Sequence, residues 1–340
     1  MGISHKIDRI FADVSTPNNS TNMGIQHLNR FMRNHCSQCI KQISLYELRK
    51  KKIAIDASIY MYRFEGEGGL IEGMYQMVTL LLHYGVIPVF VFDGAPPPEK
   101  HEILKQRKEK KIAAETEYNM VKRRLDATED DEDRSELHDE LAALKKKFVR
   151  LRPQDIDRVK HLLKLCGITY YDAEGEADVL CAKLAVKKRV WACMSEDMDM
   201  FVYGCPRVLR YLSLLNGSAV LYDTKAILEA LRLSQKEFKE ICIVSGTDYN
   251  LELHKSTNLY ATFKHFSKFK KSNNHSEFYE WLEEHTNYVS DYCRLCSTYL
   301  MFDLGNVDLD LFDCHKIMNG PVNKGELHKF LEEFDFIFLH

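Results

Sequence analysis

The sequence predicts an α/β fold whose central sheet is twisted, mostly parallel and flanked by helices. Two apolar runs, KIAIDAS at 52–58 and VIPVFVFDG at 86–94, have the length of strands, and each carries an aspartate at or near its end. The unbroken apolar character of the second run is typical of a parallel strand covered on both faces. Residues 70–83 between them have helical periodicity, which completes a strand–helix–strand unit.

Apolar periodicity and turn residues also predict the helices and strands on either side of this unit. A short helix with Leu28 and Phe31 on one side is predicted before the first strand. The later elements share apolar periodicity and clear turn residues: a helix at 153–165, strands at 168–171 and 190–194, a hairpin at 207–222, and a helix after the capping box at 234–237.

The charged insert at residues 100–152 predicts a pair of helices joined by an acidic turn near 128–133. Apolar residues repeat at helical spacing: Ala114, Tyr118, Val121 and Leu125, then Leu137, Leu141, Leu144, Phe148 and Leu151. Basic residues concentrate at 100–111 and 145–152, and local basic patches attract phosphate backbones. The insert is therefore either a substrate-binding element or a solvated hairpin without a role.

Five turns of the chain carry carboxylates, most of them at the end of a predicted strand or helix. They are Asp56, Asp93, Glu174 with Glu176, Asp197 with Asp199, and Asp248. Open α/β sheets bind ligands at the carboxyl ends of their strands. Carboxylates that meet there repel one another and need a hard cation such as Mg²⁺ or Mn²⁺. Any single pair is also explained as a solvated loop or a helix cap, so the hypothesis of a two-metal phosphodiesterase depends on all five turns.

Composition narrows the class of protein. The 340 residues contain no apolar run that could span a membrane and no secretion signal, which predicts an intracellular protein without a membrane partner. Ten dispersed cysteines fit a reducing compartment. The pairs Cys36/Cys39 and Cys293/Cys296 leave a zinc site open as an alternative, although their separation matches no compact zinc pattern.

A set of short motifs resembles a known family. The motifs are MGIQHL at 23–28, IDAS at 55–58, VFDG at 91–94, AEGEAD at 173–178, SEDMDMF at 195–201 and SGTDY at 245–249. In order and spacing they resemble the structure-specific 5′ nucleases of the flap endonuclease family, in the xeroderma pigmentosum group G superfamily. The resemblance covers residues 23 to about 249 and is weaker afterwards.

The resemblance implies a PIN-like nuclease fold and a division of the chain. The segments are an extension at 1–22, expected to be flexible, a nuclease region at 23–99, a helical arch at 100–152, a second nuclease region at 153–249, and a helical region at 250–340 with a degenerate helix-hairpin-helix. In the family a single-stranded 5′ flap is threaded through the arch. Residues 1–22 precede the family's usual start and could obstruct the active site unless they fold aside.

The resemblance also implies roles for individual residues. Two Mg²⁺ ions, which Mn²⁺ can replace in the family, would be held by Asp56, Asp93, Glu174, Glu176, Asp197, Asp199 and Asp248. Lys100 and Arg107, seven residues apart, would stabilise charge on the scissile phosphate. The implied nucleic-acid contacts are Gly24, Tyr62, Lys105, Lys108 and Lys264. Tyr62, which would stack on a base, is alternatively a core aromatic residue, and the lysines at 264–271 are alternatively a solvated helix face.

Three departures from the family pattern concern substrate and partner recognition. Only EGEGG at 65–69 stands where the family has a longer wedge that opens the duplex junction. After Asp248 the stretch LELHKSTNLYATFKHF contains no glycine, whereas the family has a glycine-rich hairpin that grips duplex DNA. The end of the chain lacks the glutamine of a sliding-clamp peptide, and a monomer is expected.

These observations predict a metal-dependent 5′ nuclease that cuts branched or 5′-flap DNA in replication, repair or recombination. The expected location is the nucleus, or a cytoplasmic replication site if the source is a virus, since intact chemistry beside eroded accessory elements would suit a divergent viral member. One alternative is a 5′ exonuclease or an RNA-cleaving member of the superfamily. The other is a non-catalytic nucleic-acid-binding scaffold, which would have no evident need for seven repelling carboxylates.

Overall fold

This computed structural model describes residues 25, 27–127, 131–249, 258–272, 277–312 and 317–336. The strands are β1 (Ile40–Ser44), β2 (Lys52–Asp56), β3 (Ile87–Phe92), β4 (Thr169–Asp172), β5 (Ala192–Met194), β6 (Arg207–Ser213) and β7 (Ser218–Asp223). The helices are α1 (Leu28–His35), α2 (Ala57–Glu67), α3 (Leu70–His83), α4 (His101–Ala127), α5 (Asp131–Lys145), α6 (Pro153–Leu165), α7 (Ala177–Val186), α8 (Asp199–Val202), α9 (Thr224–Leu231), α10 (Gln235–Ser245), α11 (Leu259–Lys271), α12 (Phe278–His285), α13 (Tyr292–Met301) and α14 (Lys324–Glu332).

The chain divides into two compact units, each built on its own group of strands. The first unit comprises Met1–Ser44 and Asp178–Phe312, and the second comprises Leu45–Ala177 and Asp313–His340. In the first unit the strand order is β1-β7-β6-β5, with β5 and β6 parallel and the other two pairings antiparallel. In the second unit the order is β2-β3-β4, and both pairings are parallel. The predicted α/β class with mixed, mostly parallel strands is confirmed.

The parallel strands of the second unit are buried as the apolar runs predict. In β2 and β3, Ile53, Ile55, Val89 and Val91 have no exposed surface. Helix α3 has the predicted bounds and buries several apolar residues of its own. Parallel pairing sets Asp56 opposite Val91, so the carboxyl ends of β2 and β3 lie at the same edge.

The insert forms the predicted helical hairpin in the second unit. The two stripes meet in a buried cluster made of Val121, Leu125, Leu137, Leu141 and Leu144, against which Tyr118 packs. The second stripe ends sooner than its spacing predicts, because α5 stops at Lys145. Phe148 lies beyond the helix and packs its ring on Tyr118, with 5.3 Å between ring centroids. Residues 128–130 of the predicted acidic turn lie outside the described part of the chain.

Local turn signals in the first unit are also confirmed. Ser234 and Glu237 form the predicted capping box at the start of α10. Strands β6 and β7 form the predicted hairpin, in which Gly217 has a φ of 54°. The sequence patterns do not predict β1, a five-residue strand with one buried side chain, because its stability comes from pairing with the distant strand β7.

Several predictions fall on residues outside the described part of the chain. The extension at 1–22, Gly24 and the glycine-free residues at 250–257 lie outside the described residues. The division of the chain into five consecutive segments stays a prediction, because each of the two compact units combines separate stretches of the chain. Within the described chain, no helix combines the length and the apolarity needed to cross a bilayer.

Candidate active site

In the second unit, two aspartates are fixed by backbone amides at the ends of parallel strands. Asp56 ends β2, is 7% exposed and caps α2, where its Oδ1 accepts a hydrogen bond from the amide of Ser58 at 3.1 Å. Asp93 follows β3, and its Oδ1 accepts from the amide of Ala177 at 2.8 Å. Both carboxylates therefore have a set orientation, because an amide at a helix start fixes one oxygen.

The turn that carries Glu174 and Glu176 lies against the turn that follows Asp93. The amide of Gly94 donates to the carbonyl of Gly175 at 2.6 Å, and the amide of Ala95 donates to the carbonyl of Glu174 at 3.2 Å. A Cβ at position 94 would lie 2.2 Å from the carbonyl oxygen of Ala173. The glycine of the VFDG motif is therefore required by the close approach of two backbones, which brings Asp93 and the two glutamates to the same part of this unit.

Lys100 is a buried cation in the same unit. It ends the short turn Pro98–Lys100, is 6% exposed, and places its Nζ 2.5 Å from Oε1 of Glu176. A lysine this deeply buried needs a partner of opposite charge. The contact offsets one negative charge in a region rich in carboxylates, and it sets a cation beside a predicted metal ligand.

In the first unit, Asp178, Asp197 and Asp199 form a group that could hold a metal ion. One carboxylate oxygen from each lies within 4.8 Å of the others. Asp178 is 6% exposed and Asp199 is 1% exposed, while Oδ1 of Asp197 accepts the amide of Asp199 at 2.8 Å. Carboxylates at this spacing, two of them buried, repel one another, and oxygen ligands suit a hard divalent cation. The residues present therefore fit the implied metal.

Asp178 is a site residue that the sequence reasoning missed. It lies in the first turn of α7, and its Oδ1 also accepts the amide of Val179 at 2.7 Å. The signal that could have found it is its place as the last residue of the AEGEAD motif, two positions after Glu176.

Asp248 lies three residues past the end of α10 and is half-buried. Among the described residues, the group of three aspartates does not include it. The neighbouring Tyr249 contacts Tyr203, with 3.3 Å between the two hydroxyl oxygens. Burial, and then the charges of Asp178 and other nearby groups, raise the pKa of Tyr203 well above its usual value. Tyr203 is therefore a neutral hydrogen-bonding group at physiological pH.

The predicted nucleic-acid contacts of the second unit lie on α2 and α4. Tyr62 is 43% exposed, and the ammonium of Lys111 lies 4.8 Å from the centre of its ring. Lys111 also donates to the carbonyl of Val149 at 2.9 Å, so it links α4, α2 and the chain after α5. Arg107 is half-buried on α4, and Lys105 and Lys108 are exposed on the same helix. The alternative of Tyr62 as a core residue is not supported by this exposure.

Two other predictions concern the first unit. Lys264 is exposed on α11, and the pKa of the adjacent His265 is lowered by burial and by the charges of Lys268 and Lys264. Cys36 and Cys39 are buried, and burial raises the pKa of the Cys36 thiol to about 12.

Comparison with known proteins gives consistent matches. The chain matches the family model of the XPG N-terminal domain over residues 23–114 and that of the XPG I-region over residues 167–248. Flap endonuclease 1 of Chlamydomonas reinhardtii is 34% identical over 248 residues, which cover 67% of this chain and 59% of the relative. Flap endonuclease 1 of Encephalitozoon cuniculi (strain GB-M1) is 34% identical over 248 residues, which cover 67% of this chain and 68% of the relative. The match thus spans roughly three fifths to two thirds of these relatives.

A solved structure has a similar fold. The catalytic core of Rad2 superposes with a TM-score of 0.63 at 21% identity, covering 92% of this chain and 94% of that one. The same core in complex with DNA substrate gives a TM-score of 0.60 at 23% identity, covering 89% and 93%. At this level of identity the likeness establishes the fold.

Proposed function

The chain belongs to the family of flap endonucleases and XPG nucleases, and we propose that it is a metal-dependent 5′ nuclease. The proposed substrate is branched or 5′-flap DNA, and the proposed reaction hydrolyses a phosphodiester bond to leave a 5′-phosphate and a 3′-hydroxyl. The observation that carries the proposal is the group formed by Asp178, Asp197 and Asp199, with carboxylate oxygens within 4.8 Å of one another. A structural role alone does not explain three carboxylates, two of them buried, at a spacing where they repel one another.

The proposed metal centre contains two Mg²⁺ ions, which Mn²⁺ can replace. Its proposed ligands are the seven carboxylates of the family pattern: Asp56, Asp93, Glu174, Glu176, Asp197, Asp199 and Asp248. Asp178, which lies beside Asp197 and Asp199, is a further candidate. When bound, two such ions activate a water and stabilise the attacking and leaving oxygens of a phosphodiester. The chain's own contribution is orientation, because the amides of Ser58 and Ala177 hold oxygens of Asp56 and Asp93.

The proposed phosphate contacts are Lys100 and Arg107, whose charges would stabilise the negative charge that develops on the scissile phosphate. Burial of Lys100 supports this role, since a cation works best where water is excluded. Tyr62 is proposed to stack on a base. The other proposed nucleic-acid contacts are Gly24, Lys105, Lys108 and Lys264. A DNA substrate is supported by the Rad2 core, which has a similar fold and has been solved with DNA.

A second candidate function keeps the chemistry and changes the substrate. Helix α2 ends at Glu67, and Gly68 and Gly69 alone connect it to α3. The family's longer wedge at this point separates the strands of a duplex junction, so a two-residue connection leaves little to insert into one. This observation favours a 5′ exonuclease or an RNA-cleaving enzyme as the alternative.

The test is a substrate panel with a matched control variant. The protein is incubated with labelled 5′-flap DNA, nicked duplex, blunt duplex and single-stranded RNA, each with Mg²⁺ and with chelator. Asp197→Ala removes a proposed ligand. Asp172→Asn is the control, because Asp172 also ends a parallel strand but is exposed and pairs with Lys160 at 2.6 Å.

We expect Mg²⁺-dependent cleavage of the flap substrate by the wild type and by Asp172→Asn, and none by Asp197→Ala. Absence of metal-dependent cutting on every substrate would refute the nuclease proposal and favour a binding scaffold. A preference for RNA or blunt ends would instead support the second candidate.

A further inference from the structure

Arg210 is a buried arginine beside the turn that carries Asp197 and Asp199. It lies on β6 and is 4% exposed. Its Nη2 donates to the carbonyl oxygen of Glu196 at 2.8 Å, and its Nη1 donates to the sulfur of Met198 at 2.8 Å. Its Nε lies 3.4 Å from the Glu196 carboxylate. Arg210 thus holds the two residues that flank Asp197 on either side.

The turn is also tied to the sheet through its backbone. The amide of Ser195 donates to the carbonyl of Leu209 at 3.2 Å, which continues the pairing of β5 with β6. Within the turn, the amide of Asp197 donates to Oγ of Ser195 at 3.1 Å. Contacts within a turn shape it but do not fix its position against a neighbouring strand, so bonds from β6, including those of Arg210, hold it there.

The arginine is itself held by an arrangement that includes backbone strain. The guanidinium carbon lies 4.9 Å from the ring centre of Tyr211 and 5.6 Å from that of Tyr222. Tyr211 has a φ of 55°, a left-handed conformation that costs free energy for a residue with a side chain. Its amide donates to Oε1 of Glu196 at 2.5 Å. The strained residue is therefore the one whose backbone amide joins β6 to the turn.

Other residues of the first unit hold Tyr211 and Tyr222 in place. Nδ2 of Asn29 donates to the Tyr211 hydroxyl at 2.7 Å, and the Tyr222 hydroxyl donates to Oδ1 of Asn29 at 2.8 Å. Arg33 lies on the Tyr211 ring at 4.9 Å. Because both tyrosine rings are held in place, they restrict the orientation of the buried Arg210 guanidinium that lies on them.

We propose that Arg210 is a positioning residue for the carboxylates of Asp197 and Asp199, acting through Glu196 and Met198. The inference rests on the proposed function, in which both aspartates bind metal. Arginine suits the role because its planar group of donors reaches several acceptors in fixed directions, which a lysine ammonium does not reproduce. Residues that orient metal ligands without touching the metal affect metal affinity strongly.

The experiment compares Arg210→Lys with the control Arg207→Lys in the full chain. Arg207 lies on the same strand and stacks on Trp191 at 4.8 Å. A third variant, Met198→Leu, removes one acceptor of Arg210 while conserving volume in the core. The Mn²⁺ dissociation constant is measured from the electron paramagnetic resonance signal of free Mn²⁺, and the Mg²⁺ midpoint is measured for flap cleavage.

We expect Arg210→Lys to raise both the Mn²⁺ dissociation constant and the Mg²⁺ midpoint by about 10-fold or more. Met198→Leu should shift both in the same direction by about 2- to 5-fold, since it removes one of several contacts. Arg207→Lys should stay within about twofold of the wild type, because its contact lies away from the turn.

The possible failures are distinguishable. A wild type that neither binds Mn²⁺ nor cleaves would overturn the proposed function and this inference with it. A wild type that binds Mn²⁺ and cleaves, beside an Arg210→Lys variant with unchanged metal dependence, would overturn the inference alone. The same holds if Arg210→Lys gives less folded protein but the folded fraction keeps the Mg²⁺ midpoint of the wild type. If Arg210→Lys does not fold, Met198→Leu decides, and an unchanged midpoint in that variant would overturn the inference.

Discussion

Lys100 combines a charged group, deep burial and a carboxylate partner. Its ammonium contacts Glu176 at 2.5 Å in a region that excludes most water. Such a pair is weak evidence for stability, because desolvation offsets much of the attraction. Under the proposed function, the pair holds a cation where the scissile phosphate would bind.

Lys100→Met is expected to lower the rate of flap cleavage by about 10²- to 10³-fold, because it removes a cation from the developing charge. Methionine keeps much of the aliphatic volume, so the variant should fold. Mn²⁺ affinity should not weaken, since the carboxylates remain. Single-turnover cleavage and Mn²⁺ titration measure the two effects, with the exposed Lys122→Met as control; a rate near that of the wild type would contradict the role of Lys100.

Asp178→Asn is expected to weaken Mn²⁺ binding by roughly 10-fold, because it removes a negative charge close to the proposed metal ligands. Asparagine retains the Oδ1 that accepts the amide of Val179, so the local helix start is preserved and the change is confined to charge. Titration with Mn²⁺ measures the effect beside Asp172→Asn. Equal affinities of the two variants would exclude Asp178 from the metal centre.

At the scale of elements, the hairpin of α4 and α5 is held by a core of its own. Five buried apolar side chains and Tyr118 pack between the two helices. The outer faces are highly charged and exposed. An element with this construction can open locally without unfolding the rest of its unit.

Leu141→Ala is expected to destabilise the hairpin by about 2–4 kcal/mol, because Leu141 is 8% exposed and its removal leaves a cavity. Hydrogen exchange should become faster in α4 and α5 and stay unchanged in β2 and β3. Glu140→Ala, at an adjacent exposed position, is the control. Equal acceleration across the whole second unit would show that the hairpin is not an independent element.

The elements differ in how well the sequence predicts them. Helices α3 and α6 have the predicted bounds, because their periodicity and their end signals are local. The second stripe of the hairpin predicts a helix as far as Leu151, yet α5 stops at Lys145. Spacing alone cannot distinguish a residue on a helix from Phe148, which reaches the same core from beyond the helix end.

At the scale of the molecule, stability is expected to depend on pH through Glu240. This glutamate on α10 is 6% exposed, and burial raises its pKa to about 7 despite Lys236, whose Nζ lies 3.8 Å away. Glu277 and Glu237 add to the shift. Between the normal carboxyl pKa and about pH 7, Glu240 therefore stays protonated in the folded protein but is ionised in the unfolded chain.

The sign follows from this difference in proton binding. The contribution of Glu240 to stability is fully present below the pKa of the unfolded carboxyl and is lost as the pH rises to about 7. Glu240→Gln should raise the free energy of unfolding by about 1–2 kcal/mol at pH 8, allowing for solvent screening, and have little effect at pH 5. Urea unfolding at the two pH values tests this beside the exposed Glu229→Gln. A gain that is equal at both values would point to packing instead of charge.

The sequence by itself determined the fold class, the family and the candidate carboxylates, because strand ends, helix periods and short motifs are local patterns. Only the tertiary structure decided which distant groups meet. Lys100 reaches Glu176 across 76 positions, Asp178 joins Asp197 and Asp199, and Arg210 anchors the turn around Asp197. No local pattern fixes such contacts, since they depend on how strands pair and on which side of a turn each side chain points.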